Sequence, residues 1–167
     1  CVPIAHLHGG ETTEGAMDEC FRHCITKMSF LHFTATEAYR TRVIQLGEDP
    51  ARVYHVGGLG VENALHTAFL SPEELEASLD FPLFQKPYVV TTFHPVTLEP
   101  GSAGRQVEEL LSAIAERTDL NFLITKSNAD TGGQEINERL DAFAGEHSHC
   151  RVTASLGMCR YMSALKY

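Results

Sequence analysis

Short apolar runs alternate with longer amphipathic stretches along this chain. The runs at residues 2–7, 30–34, 53–56, 88–92, 121–125 and 151–154 are brief and are bounded by polar residues, glycine or proline. That length and punctuation predict buried strands. Between them, residues 18–29, 36–46, 104–117 and 133–143 carry apolar side chains at helical spacing, as Val107, Leu110, Leu111 and Ile114 illustrate. Ser71-Pro72-Glu73-Glu74 combines a capping hydroxyl, a first-turn proline and a glutamate three residues on, which predicts a short helix over Pro72–Leu79. Strands that alternate with helices build a parallel sheet with helical crossovers, so the expected fold class is α/β.

Residues 57–87 carry no strand pattern, and three strand-helix units lie on either side of them. The stretch therefore reads as a boundary between two lobes. Gly57, Gly58 and Gly60 supply backbone freedom there, suited equally to a hinge and to an ordinary strand-to-helix turn. The chain opens at Cys1 directly into an apolar run and reaches Tyr167 within a helical pattern; both ends read as truncations.

Composition narrows the function classes. With 167 residues, 43% of them hydrophobic, the chain can bury a core and matches the size of one domain or two halves. The formal net charge is -9 and no run of lysine and arginine could track a phosphate backbone, which argues against nucleic acid as a partner. No apolar run approaches the ~20 residues that span a bilayer, so no membrane association is expected and the protein reads as soluble and cytoplasmic. The five cysteines are odd in number and scattered, as free thiols of a reducing compartment would be. Cys20 and Cys24 could share a helical face, but a metal site would need further ligands nearby; no metal is expected. Neither G-x-G-x-x-G nor a Walker lysine occurs, so neither a nicotinamide cofactor nor a P-loop is indicated.

In open α/β sheets ligands sit beyond the carboxyl ends of the strands, and three such places carry chemistry. His6-Leu7-His8-Gly9-Gly10-Glu11-Thr12-Thr13 ends a strand in two glycines followed by a carboxylate, with Asp18, Glu19 and Arg22 in the next helix. The plain alternative is that Asp18 and Glu19 cap that helix and Arg22 pairs with Asp18. Thr91-Thr92-Phe93-His94-Pro95-Val96-Thr97 delivers a histidine from a buried strand, where an imidazole can meet a phosphate or simply be structural. Ser127-Asn128-Ala129-Asp130-Thr131-Gly132-Gly133 places hydroxyl, amide and carboxylate groups before a glycine-opened helix, fit for a phosphate or sugar hydroxyls, or for an ordinary cap by Asp130 or Thr131.

Taken in order, His6-Leu7-His8-Gly9-Gly10-Glu11, then Asp18-Glu19 with Arg22-His23 and Ile25-Thr26-Lys27, then Phe93-His94-Pro95-Val96-Thr97, then Asn128 through Gly133 form a set. The set resembles the hydrolysing UDP-N-acetylglucosamine 2-epimerases. The likeness runs on through Arg42–Glu48 and Ser155-Leu156-Gly157 to Lys166, essentially the whole chain. It implies two Rossmann-like lobes of the GT-B type with the nucleotide sugar in a cleft between them. Residues 1–66 would be the later part of the first lobe, 67–87 a connecting segment and 88–167 the first part of the second. A further aspartate would precede Cys1, and a diphosphate-gripping loop would follow Tyr167.

The resemblance also implies anti-elimination of UDP to 2-acetamidoglucal, followed by addition of water to give N-acetylmannosamine for sialic-acid-type pathways. Glu11, Asp18 and His94 would be catalytic, the first two as acid and base and His94 at the departing diphosphate. Arg22 would orient Asp18, and His8, Asn128 and Asp130 would contact substrate. Many relatives carry glutamate where this chain has His8, so either Glu11 is the essential carboxylate or His8 shares its role. No cofactor is implied. The partners implied are a UDP-sugar and, in the full-length protein, further copies of itself. Close alternatives are a 2-epimerase for UDP-diacetylbacillosamine, as in legionaminic-acid pathways, and a non-hydrolysing form that returns UDP-ManNAc. A GT-B glycosyltransferase is the alternative from another class, and it would need no base at C2. The fragment on its own is expected to be inactive.

Overall fold

A computed structural model describes residues 2–14, 16–94, 101–129 and 132–167. The chain divides into two compact units, Cys1–His66 and Thr67–Tyr167. Each holds a three-stranded sheet, in the orders β1-β2-β3 and β4-β5-β6, and every pairing is parallel.

The first unit runs β1 (Ala5–Leu7), α1 (Asp18–Met28), β2 (Leu31–Thr34), α2 (Glu37–Gln45), β3 (Val53–His55) and α3 (Leu59–His66). Strand β1 is shorter than the apolar run 2–7, since Pro3 has no N–H to donate and Val2 is 88% exposed. Helix α2 begins at Thr36, whose hydroxyl accepts from the Tyr39 N–H. The interior is unusually polar: His6, Thr26, His32 and Thr34 are buried beside Val43 and Val53. Helix α3 lies in the stretch 57–87, where the sequence showed no strand pattern and a helix was expected only over Pro72–Leu79. Gly60 is in the first turn of α3, and a glycine within a helical stretch weakens the local helical signal.

The second unit runs α4 (Pro72–Leu79), β4 (Tyr88–Thr92), α5 (Ala103–Ala115), β5 (Asn121–Thr125), α6 (Gly133–Glu146), β6 (Cys150–Thr153) and α7 (Gly157–Lys166). Central strand β5 separates two apolar layers because successive side chains point to opposite faces. Phe122 and Ile124 pack with Val107, Leu111, Ile136 and Leu140 of α5 and α6. Leu123 points the other way, to Leu75, Leu79, Leu83, Leu156 and Ala164. Residues 67–87, read from sequence as a connector, thus pack into this unit, and Asn121 Nδ2 ties them down by donating to the carbonyls of Pro82 (2.9 Å) and Leu83 (3.0 Å).

The start of α4 is the capping box expected from sequence: Ser71 Oγ accepts from the Glu74 N–H (3.2 Å) and Glu74 Oε2 from the Ser71 N–H (2.8 Å). Ser71→Ala is expected to lower stability by about 1 kcal/mol, read from a urea unfolding midpoint; an unchanged midpoint would mean that Leu75 and Leu79 alone hold the helix.

Cys20, Cys24, Cys150 and Cys159 are free thiols, and burial pushes the Cys150 thiol up to about 11. Among the described residues no helix is long and apolar enough to cross a membrane.

Candidate active site

At the carboxyl end of β1 the chain turns through two left-handed residues, His8 (φ 63) and Gly10 (φ 80). A residue with a Cβ holds that conformation at a cost and only where its surroundings impose it. The imposing contact is at hand: His8 Nδ1 lies 2.7 Å from Glu11 Oε1. Gly10 has no alternative residue, since a Cβ there would overlap the Tyr39 carbonyl. Arg42 of α2 clamps the same turn, donating to the Gly10 carbonyl and to Thr12 Oγ1 (2.6 Å), with its guanidinium 5.6 Å over the Tyr39 ring.

Arg22 of α1 holds the next stretch. It donates to the Glu11 carbonyl (3.1 Å), to Thr13 Oγ1 (2.8 Å) and to Glu19 Oε2 (2.9 Å). Glu19 Oε2 also accepts from the Thr13 N–H (2.9 Å), and that bond, first of several causes, holds the Glu19 carboxyl below the usual carboxylate range.

This corrects the expected Asp18–Arg22 pairing. Both carboxylates lie within a helical turn of Arg22, but Glu19 is also bound by the loop backbone, so Arg22 goes to it. Neither acidic residue caps α1, whose N-cap is Met17 with no side-chain bond. Asp18 is left exposed, with no ion pair or hydrogen bond among the described residues. It lines a cavity of about 250 Å³ with His6, His8, Glu11 and Arg22. The structure thus brings together the four residues singled out in this region and adds His6.

In the second unit, His94 leaves β4 exposed, its Nδ1 3.2 Å from Ser127 Oγ. Ser127 is fixed at the end of β5 by the Asn137 side chain, which accepts from the Ser127 N–H (2.8 Å) and donates to its carbonyl (3.1 Å). His94 borders a cavity of about 470 Å³ at the carboxyl ends of all three strands, with Thr92, Thr125, Lys126, Ser155 and Gly157. Asn128 is exposed on the rim of a different cavity, of about 620 Å³, which Ser127 and Asn137 also line. Asp130, with Thr131 and Pro95-Val96-Thr97, lies outside the described residues.

Sequence reading passed over Arg42, Asn137, Lys126 and Ser155 as site residues. Applying the strand-end rule to β6 would have pointed to Ser155 and Gly157; Arg42 and Asn137 leave no such local signal. Among the described residues no group of three or more His, Cys, Asp or Glu is arranged to hold a metal ion.

Parallel α/β units with polar groups gathered beyond the carboxyl ends of their strands place the chain in the sheet-and-crossover class, whose members bind ligands at that edge. A family model described as UDP-N-acetylglucosamine 2-epimerase matches residues 1–167, and the chain belongs to that family. It is 44% identical over 167 residues to "Polysialic acid biosynthesis protein P7" of Escherichia coli, covering 99% of this chain and 42% of that protein. It is 37% identical over 166 residues to "GDP/UDP-N,N'-diacetylbacillosamine 2-epimerase (hydrolyzing)" of Campylobacter jejuni, covering 99% of this chain and 43% of that protein. The chain therefore spans well under half the length of these relatives. Its fold is shared with the crystal structure of UDP-GlcNAc 2-epimerase from Neisseria meningitidis bound to UDP-GlcNAc, at TM-score 0.69 and 13% identity, over 96% of this chain and 44% of that one. The α/β class with parallel sheets expected from the sequence is the class observed.

Proposed function

We propose that the full-length protein is a hydrolysing UDP-GlcNAc 2-epimerase, converting UDP-GlcNAc and water to N-acetylmannosamine and UDP in sialic-acid or related nonulosonate biosynthesis. The observation that carries this reading is the convergence of His8, Glu11 and Asp18 on one cavity at the end of β1. In the first half of the reaction the C2–H and C1–O bonds break, the C2 proton passes to a base, the C1=C2 double bond of 2-acetamidoglucal forms, and UDP departs. In the second half water adds across that bond, its oxygen to C1 and a proton to C2 from the opposite face. Two proton-carrying groups suffice for this, one to take and one to return.

Glu11 is oriented for either task by His8, and Asp18 is committed to no partner among the described residues. Arg22, bonded to the Glu11 carbonyl, serves by holding the loop. His94, steadied by Ser127, is the group assigned to the departing diphosphate, with Asn128 and Asp130 as further substrate contacts. Residues 1–66 are then the later part of the first lobe, 67–87 the connection and 88–167 the start of the second.

Given UDP-GlcNAc, the full-length protein is expected to release UDP and N-acetylmannosamine. Detection of UDP-ManNAc alone, or of a transferred glycoside, would overturn the hydrolysing assignment. The Campylobacter relative favours a second reading, a hydrolysing 2-epimerase for UDP-diacetylbacillosamine; turnover of that sugar nucleotide and not of UDP-GlcNAc would select it. His94→Ala is expected to lower kcat by about 10²-fold with an unchanged melting temperature. Wild-type turnover in the folded variant would remove His94 from the site.

A further inference from the structure

The cavity beside Glu11 and Asp18 holds a group that the acid-base reading leaves unused. His6, on β1, is 9% exposed, stands opposite the buried His32 in the register of β1 and β2, and lines that cavity. Its Nδ1 lies 3.2 Å from Thr26 Oγ1. The single hydroxyl proton of Thr26 is already donated to the Arg22 carbonyl at 3.0 Å. The proton between Thr26 and the ring must therefore sit on Nδ1, with the ring as donor. That leaves Nε2 as a bare lone pair, with no partner among the described residues.

The other polar groups around the cavity explain what that lone pair is for. The Arg22 guanidinium donates to the Glu11 carbonyl, Thr13 and Glu19, and no bond from it to Nε2 occurs among the described residues. Glu11 and Asp18 are themselves acceptors when ionised. With Nε2, Glu11 and Asp18 as acceptors on its wall, the cavity fits a ligand rich in O–H donors, which a hexose ring is.

We propose that His6 contacts the substrate directly, its Nε2 accepting a hydrogen bond from a hydroxyl of the sugar ring bound beside Glu11 and Asp18. This rests on the reading of the protein as a sugar-nucleotide 2-epimerase. The neutral ring it needs is favoured by burial first, and then by His32 from β2, Arg22 from α1 and His8 at the end of its own strand, all of which hold the His6 pKa below its ordinary 6.5. Glu11 and Asp18 face it across the cavity.

Two variants of the full-length enzyme separate the two ring nitrogens. In His6→Asn the amide can still donate to Thr26 but nothing reaches the place of Nε2. In His6→Gln an amide oxygen can reach that place. With UDP-GlcNAc, kcat/KM is expected to fall roughly tenfold in His6→Asn and to stay within about threefold of wild type in His6→Gln. Below pH 6.5 the wild-type kcat/KM is expected to fall more steeply than that of His6→Gln, because protonation turns Nε2 from acceptor to donor. Whatever is common to the two enzymes cancels in that comparison.

Wild-type kcat/KM in a folded His6→Asn overturns the inference and leaves the epimerase reading standing. So do equal losses in both variants with superimposable pH profiles, which would mark His6 as structural only. Should His6→Asn fail to fold, the His6→Gln pH profile decides alone. A wild-type enzyme that turns over no sugar nucleotide removes the epimerase reading and this inference with it.

Discussion

Glu11→Gln in the full-length protein is expected to lower kcat for UDP release from UDP-GlcNAc by about 10²–10⁴-fold, with KM and melting temperature close to wild type. Glutamine matches glutamate in shape, and the loop is held mainly through backbone atoms that the substitution leaves in place. Arg22 still meets the residue 11 carbonyl, and Arg42 still meets the Gly10 carbonyl and Thr12. Only the capacity of residue 11 to carry a proton is lost. Near-normal turnover in the folded variant would pass the role to Asp18 or His8, and Asp18→Asn in parallel would show which.

Gly10→Ala is expected to destabilise the protein by about 2–4 kcal/mol, seen as a lower urea midpoint, and to abolish turnover as well. Two penalties coincide. The position has φ 80, where a Cβ is strained, and that Cβ would overlap the Tyr39 carbonyl and come 3.0 Å from Val43 Cγ2. Val43 is fully buried, so it cannot step aside. Gly58→Ala is the matched control: its Cβ would meet only Val61 Cγ2, at 3.8 Å, and stability should hold. Equal midpoints for the two variants would show that the turn is not pinned by α2.

Strands 88–92 and 121–125 were legible to the residue, and so was the capping box at Ser71, because each depends on neighbours a few positions away. The loop after β1 was legible as a place for chemistry for the same reason: a strand, two glycines and a carboxylate in succession. Helix α3 was not, since Gly60 blurs its local pattern and Leu59, Val61 and Leu65 are exposed and form no buried stripe.

Within the site, sequence spacing left Arg22 within reach of Asp18 and Glu19 alike. The choice fell to Thr13, whose backbone N–H already holds Glu19 and so leaves Asp18 open to the cavity. The clamp of Arg42 on Gly10, and of Asn137 on Ser127, join residues far apart in sequence with no pattern to announce them.

By itself the sequence determined the class of fold, the order of its elements and the strand ends where polar groups collect, because local periodicity and turn chemistry act over a few residues. Which of those groups are spent on one another and which stay free was decided only by tertiary structure. A hydrogen bond forms where two elements meet in space, and a single proton, such as that of Thr26, can be donated only once.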